Sequence, residues 1–208
     1  MNKSNYIHST AVVSPKAILG YNNYIGPYCY ISDNVTIGSN NRFEAYCSIG
    51  TPAESKKYFY SDEGNVYIDS NNVFREFTTV NAGTWRTTQL GSNISMLRNS
   101  HVGHDAIVED SVILSCNVLI GGHTYVMEGV NCGLGAIVHQ RMVLGSYAML
   151  GMGTIVTKKT PIKPGNIYIG NPARLLKQNN LDRFNITKDD LDYQLIRYNE
   201  VVKIPIGK

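Results

Sequence analysis

Residues 100–108 read SHVGHDAIV. His101 and His104 stand three apart, and Asp105 follows the second histidine directly. An imidazole changes charge near neutral pH and can take a proton from an attacking nucleophile. A carboxylate beside it can hold the ring in one tautomer and stabilise the imidazolium. The same residue types can also ligate zinc, or simply decorate the polar side of a strand. Which chemistry is open to them depends on the elements that hold them.

Those elements follow a six-residue period. From Ile7, every sixth residue is apolar through Val13, Leu19, Ile25, Ile31, Ile37, Phe43 and Ile49. The phase resumes at Ile68, Phe74 and Val80, and again from Leu90 to Ile162. Neither a helix nor a single strand has this period. Short strands joined by tight corners do. Three hexads close a triangular coil, and stacked coils make a parallel β-helix with strands roughly 4.8 Å apart. The hexads predict an all-β fold of about eight coils over residues 1–173, with a short α-helical tail over 174–208. In the tail, 187–202 is expected as an amphipathic helix, capped by Thr187 with Asp190 three residues on. It would bury Leu191, Leu195, Ile196 and Val202. Two breaks in phase, SKKYFYSDEGN at 55–65 and RTTQ at 86–89, are expected excursions. Loops thrown from a rigid scaffold tend to carry binding groups.

The repeat also stacks the histidines. Hexads beginning at Val102, Ile120 and Val138 are 18 residues apart, so VGHDAI, IGGHTY and VHQRMV share one face. They bring together His104, His123 and His139, with His101 at the corner before them, within about 10 Å along the axis. His8 lies in the first hexad and is read as structural. IGGH puts Gly121 and Gly122 one coil above His104, where a backbone N–H can bind a developing oxyanion. A base with such a donor is an acyl-transfer constellation. Zinc is the rival, and it needs three well-placed protein ligands. In γ-class carbonic anhydrases the histidine pair is H-x4-H, whereas here it is H-x2-H and Glu109 stands five beyond His104.

Composition narrows the field. The net charge is +3 with 17% charged residues and no Lys/Arg cluster, which argues against nucleic acid as a partner. No apolar run approaches the ~20 residues of a membrane span. MNKSNYIHST has no signal-peptide core, so a cytoplasmic location is expected. Cys29, Cys47, Cys116 and Cys132 make no CxxC pair. Cys29 and Cys47 are expected to face inward on adjacent coils as free thiols.

At IHSTAVV, SIGTPAESKKY, FREFTTVNAGT, NSHVGHD, GGH, VHQ and GNPA, the chain resembles the UDP-N-acetylglucosamine 3-O-acyltransferase family of hexapeptide-repeat enzymes. The resemblance, not the periodicity, implies a left-handed β-helix. It implies His104 as general base, Asp105 as its partner and Gly122 as the oxyanion donor. Substrate would be held by His101, His123, His139 and Gln140, by Asn81 and Met152, and by Asn171 and Arg174 around GNPA. Lys57 would reach the nucleotide sugar of a neighbouring subunit in a homotrimer. The co-substrate would be an acyl-CoA or acyl carrier protein thioester, with no metal required.

Three features depart from that family. Asn81 stands where it usually has His. Met152 stands where Gly admits long acyl chains. The tail is short, as in nucleotide-aminosugar N-acyltransferases. The expected reaction moves a short or medium acyl group, with or without a 3-hydroxyl, from a thioester to a nucleotide-activated sugar. An amino acceptor is narrowly preferred, since the short tail resembles the nucleotide-aminosugar N-acyltransferases. An amine would need a base only late, which water or an exposed Asp105 would supply, so it would depend less on His104 than a hydroxyl would. The alternatives are UDP-N-acetylglucosamine 3-O-acylation in lipid A synthesis, a zinc-dependent hydratase of the γ-carbonic anhydrase type, and a non-catalytic β-helix scaffold.

Overall fold

The computed structural model describes residues 4–59 and 64–204. Residues 60–63, within the first expected excursion, lie outside the described residues. Strands mostly two residues long wind into a left-handed parallel β-helix of about nine turns. The ninth turn is made by Ile162, which bridges Leu144, and by the strand Asn166–Ile169. The three faces carry ten, eight and seven strands.

The six-residue period sets the register. Val102 pairs Ile120, and Ile120 pairs Val138, each 18 residues on. Across the first insertion Ser48 pairs Thr79, a step of 31 (79 − 48), which is 13 more than one coil. Across the second, Thr79 pairs His101, a step of 22 (101 − 79), four more than one coil. Beyond both insertions the 18-residue register resumes; beside the first, a bulge after Val80 pairs Asn81 with Thr51 instead of Gly50. The second lies slightly upstream of its expected place. Thr88 and Gln89 belong to the strand Thr88–Leu90, and the loop spans 82–87. Thr88 is drawn into the ladder because its backbone pairs Val66.

The corners turn through left-handed residues. Asn22, Asn40, Asn71, Asn93, Asn99 and Asn117 all have φ near 60°, a region that Asn tolerates better than most side chains. Asp105 (φ 60°) and His123 (φ 59°) occupy this same corner position. Beyond the first coil, whose Ile7 is exposed and Val13 and Leu19 half-buried, the apolar residues at the six-residue positions are fully buried, including Ile25, Ile31, Phe43, Val102, Ile120 and Leu150. Each such aliphatic side chain stabilises the fold by roughly 1.5–3 kcal/mol. Phe43 stacks on Phe74 with ring centroids 4.5 Å apart. A ladder of asparagines caps another row of backbone donors. Asn5 Oδ1 accepts the Asn23 N–H, Asn23 Oδ1 that of Asn41, Asn41 Oδ1 that of Asn72, and Asn72 Oδ1 that of Ile94, at 2.7–2.9 Å. Cys29 and Cys47 are buried free thiols.

The tail first returns as the strand Arg174–Gln178, antiparallel to Asn166–Ile169. Helix α1 (Lys188–Val201) follows, with Thr187 and Asp190 forming the expected reciprocal cap. Its buried face differs from the expected stripe. Gln194, Tyr198 and Val201 face inward, while Ile196 and Val202 are exposed. The reason is that this face meets a polar as well as an apolar wall. Tyr198 and Val201 pack on Met127 and Val143, Gln194 Oε1 accepts the Ser146 hydroxyl at 2.7 Å, and Arg197 pairs with Glu109.

Candidate active site

The strands Thr79–Asn81, His101–Val102, Leu119–Ile120 and Ile137–Val138 run side by side on the eight-stranded face. His101 therefore lies within a strand, not at a corner, because its backbone pairs Thr79 and Leu119. His104 and Asp105 form the corner that follows. His123 forms the equivalent corner one coil on.

Asp105 is wholly buried, not exposed as expected, because the 82–87 loop folds over it. Its Oδ1 accepts three backbone N–H groups, from Thr84 (3.0 Å), Trp85 (2.8 Å) and Arg86 (2.8 Å). Its Oδ2 accepts the Thr84 hydroxyl at 2.8 Å and lies 2.6 Å from His104 Nδ1. Arg86 Nε donates to the Asp105 carbonyl at 2.7 Å. Burial alone pushes the carboxyl pKa up, but the hydrogen bonds from His104 and from the Arg86, Trp85 and Thr84 backbones outweigh it and hold the group well below the usual carboxylate range. Ionised Asp105 is acceptor-only, so His104 Nδ1 carries the proton and Nε2 presents its lone pair. His104 thus has the tautomer of a general base.

Gly122 stands directly over that ring. A Cβ there would lie 2.8 Å from His104 Nε2 and 2.9 Å from Cε1. Only glycine lets the imidazole occupy this position. The Gly121 N–H is used in the ladder, bonded to the Val138 carbonyl. Among the described residues the Gly122 N–H has no backbone acceptor, so unlike that of Gly121 it is not taken up by the ladder.

His123 Nε2 lies 3.6 Å from Asp105 Oδ2, and its ring meets His104 edge to face at 4.9 Å. Its Nδ1 is buried without a hydrogen-bond partner among the described residues. His101 Nδ1 is 2.8 Å from Thr79 Oγ1, and its Nε2 is 4.0 Å from Glu54. Burial pushes the pKa of both His101 and His123 down, against the opposing pull of Glu54 and Asp105 respectively. Both are neutral at pH 7.

Two clefts meet at His104. One, of about 420 Å³, is lined by Glu54, Lys57, Tyr58, Trp85, His123 and Arg141 among others. The second, of about 360 Å³, runs along the strand face past Asn81, His101, Gly121, Gly122, Leu119 and Ile137. Glu54, His104 and Gln140 line both. Asn81 donates to Thr51 Oγ1 and to the Pro52 carbonyl, and its Oδ1 is a buried acceptor with no partner among the described residues. The residues expected from the sequence thus divide. His101, His104, Asp105, Gly122, His123, Gln140, Asn81 and Lys57 converge. His139, hydrogen-bonded to the Gln140 carbonyl, lines neither cleft, and nor do Met152, Asn171 and Arg174. Glu54, Tyr58, Thr84, Trp85 and Arg141 join the site without having been singled out. For Thr84 and Trp85 the signal was available: they lie where the hexad phase breaks.

His104, Asp105 and His123 are also the group of described residues spaced to hold a metal ion, with ligand atoms within 4.8 Å of one another. The fit is poor between the first two. Ligands on one tetrahedral zinc, each at about 2.0–2.2 Å, stand further apart than the 2.6 Å between His104 Nδ1 and Asp105 Oδ2. That separation suits a shared proton.

Residues 16–51 match the bacterial transferase hexapeptide (six repeats) family. Over 158 residues the chain is 31% identical to the acyl-[acyl-carrier-protein]–UDP-N-acetylglucosamine O-acyltransferase of Nautilia profundicola, covering 74% of this chain and 60% of that one. It is 32% identical over 129 residues to the enzyme of that name from Gloeothece citriformis, covering 61% and 46%. The chain thus spans about half to 60% of the length of these curated relatives. Among solved structures, it resembles LpxA of Acinetobacter baumannii (TM-score 0.76, 26% identity, covering 96% of this chain and 90% of that one). It also resembles the UDP-N-acetylglucosamine acyltransferase of Francisella novicida (TM-score 0.78, 27% identity, 93% and 78%). No helix of the described residues is long and apolar enough to cross a membrane.

Proposed function

We propose, with this likeness to UDP-N-acetylglucosamine O-acyltransferases as premise, that the chain is a thioester-dependent acyltransferase acting on a nucleotide-activated sugar. The observation that carries the reading is the buried dyad: His104 held by Asp105 in the base-competent tautomer, with the Gly122 N–H beside it, where two clefts meet.

The mechanism follows from those positions. The sugar nucleophile lies in the cleft with Lys57 and Arg141, whose charges suit its pyrophosphate. The thioester lies along the other, whose exposed Leu119 and Ile137 suit an acyl chain. His104 Nε2 takes the proton as the nucleophile attacks the thioester carbonyl, and Asp105 stabilises the imidazolium. The Gly122 N–H binds the tetrahedral oxyanion. On collapse the C–S bond breaks, the thiolate leaves, and His104 returns the proton to it. Atoms and charge balance, and no metal enters.

Between acceptors, the dyad favours a hydroxyl. A hydroxyl is protonated at neutral pH and its attack needs a positioned base. An amine needs a base only late, and the exposed Asp105 expected to serve it is buried. The relatives, O-acyltransferases by name, point the same way. UDP-N-acetylglucosamine is therefore the first acceptor to test, with an acyl carrier protein donor first and acyl-CoA second. Both clefts are open on one side, which supports a homotrimer in which a neighbouring subunit closes them. In that assembly His139, Met152, Asn171 and Arg174 keep the substrate-binding roles the resemblance implies. Buried free thiols fit a reducing, cytoplasmic compartment.

The test is thiol release and product mass with acyl carrier protein and acyl-CoA thioesters against UDP-N-acetylglucosamine and UDP-aminosugars, beside sedimentation of the protein. Acyl ester on the sugar and a trimer are expected. Amide product would move the acceptor to an amine. No thiol release from any pair would refute acyl transfer.

A further inference from the structure

Trp85 is the chain's one tryptophan, and it sits at the tip of the four-residue insertion that the coil does not need. The residue is 62% exposed and lines the cleft with His104, His123, Tyr58, Lys57 and Arg141. Its stem is fixed. The Trp85 N–H donates to Asp105 Oδ1 at 2.8 Å, and the flanking Thr84 and Arg86 N–H groups bond the same oxygen. A large apolar ring, with the Arg86 guanidinium 5.9 Å from its centroid, is thus held beside the cleft by a backbone anchored on the carboxylate that orients the base.

We infer that Trp85 is the platform on which the ring of the acceptor sugar stacks, and that it determines which sugars the site accepts. The inference rests on the acyl-transfer reading. One face of a pyranose presents C–H groups that pack on an aromatic face, while the hydroxyls project sideways to polar partners. Distance selects the sugar over the base of the nucleotide. The reacting hydroxyl must reach His104 Nε2, and the Trp85 N–H bonds the same carboxylate that holds His104. The nucleobase is separated from the reacting ring by two phosphates and a ribose. Lys57 and Arg141, in the same cleft, are placed for those phosphates.

With a single tryptophan, intrinsic emission reports cover of this ring directly. The protein is titrated separately with UDP-N-acetylglucosamine, UDP and acyl thioester, and acceptor kinetics are measured for Trp85→Ala, Trp85→Phe and Trp85→Leu. Emission should shift with the nucleotide sugar and little with UDP or thioester. Trp85→Ala should raise the acceptor KM about tenfold with kcat nearly unchanged, and Trp85→Phe should restore most of it while Trp85→Leu does not. The Trp85 backbone bond survives in all three, so their melting temperatures should match wild type. An equal shift with UDP alone, a shift with thioester alone, or an unaltered KM in Trp85→Ala would overturn the proposal. The two readings fail separately. An emission shift with nucleotide sugar but no turnover sinks acyl transfer and keeps the platform. Turnover with unchanged emission and KM sinks the platform alone.

Discussion

Replacing Asp105 with Asn tests the dyad with one atom. Oδ1 sits among three converging N–H groups, where an amide nitrogen would face three donors. The amide oxygen must take that seat. The NH₂ then falls at Oδ2, against the Thr84 hydroxyl and His104 Nδ1. It can only donate to Nδ1, so the imidazole proton moves to Nε2. The ring keeps its place but shows the nucleophile an N–H instead of a lone pair. In a Ser-His-Asp site the same inversion costs about 10⁴ in kcat, and Asp105→Asn should lose a similar factor with acceptor KM little changed. Stability gives a second readout. The folded carboxyl titrates below its unfolded value of about 3.9, so its contribution is complete above that pH and is lost as pH falls further. Asp105→Asn should flatten the acid limb of the melting curve below about pH 4. The measurements are steady-state rates at saturating donor and melting temperatures from pH 3 to 8. A variant within about tenfold of wild-type kcat would refute the tautomer argument.

Gly122→Ala places a Cβ 2.8 Å from His104 Nε2, so the ring must shift. A loss of about 10² in kcat is expected; since alanine keeps the backbone N–H, an unchanged kcat would show that the His104 ring need not sit against Gly122. His123 is held neutral by burial. The unfolded chain binds more protons below about pH 6.5, so stability falls on acidification through that value. His123→Gln should shrink the drop in melting temperature between pH 7.5 and 5.5; an unchanged drop would show that His123 is not the group responsible. Met152 is 76% exposed, so Met152→Gly should leave stability unaltered, while a preference shifted toward longer acyl thioesters would place it at the pocket end in the assembly. No shift in chain length would exclude it.

The period of six decided the coil from the sequence alone, since one apolar residue per hexad must face inward and only stacked short strands allow that. The capping residues Thr187 and Asp190 likewise located the helix, because capping is local chemistry. His104 and Asp105 were legible because they are adjacent, and Gly122 and His123 because 18 residues separate them from these two. Tertiary structure decided the rest. The sequence contains no measure of where an insertion folds, so it could not say that Thr84, Trp85 and Arg86 close over Asp105 and bury it. That closure turns a surface carboxylate into a fixed orienting group. The helix face was also a tertiary outcome: Gln194 is buried because Ser146, 48 residues away in sequence, supplies its partner. Periodicity tells which residues recur on a face, and only the folded chain tells what covers them.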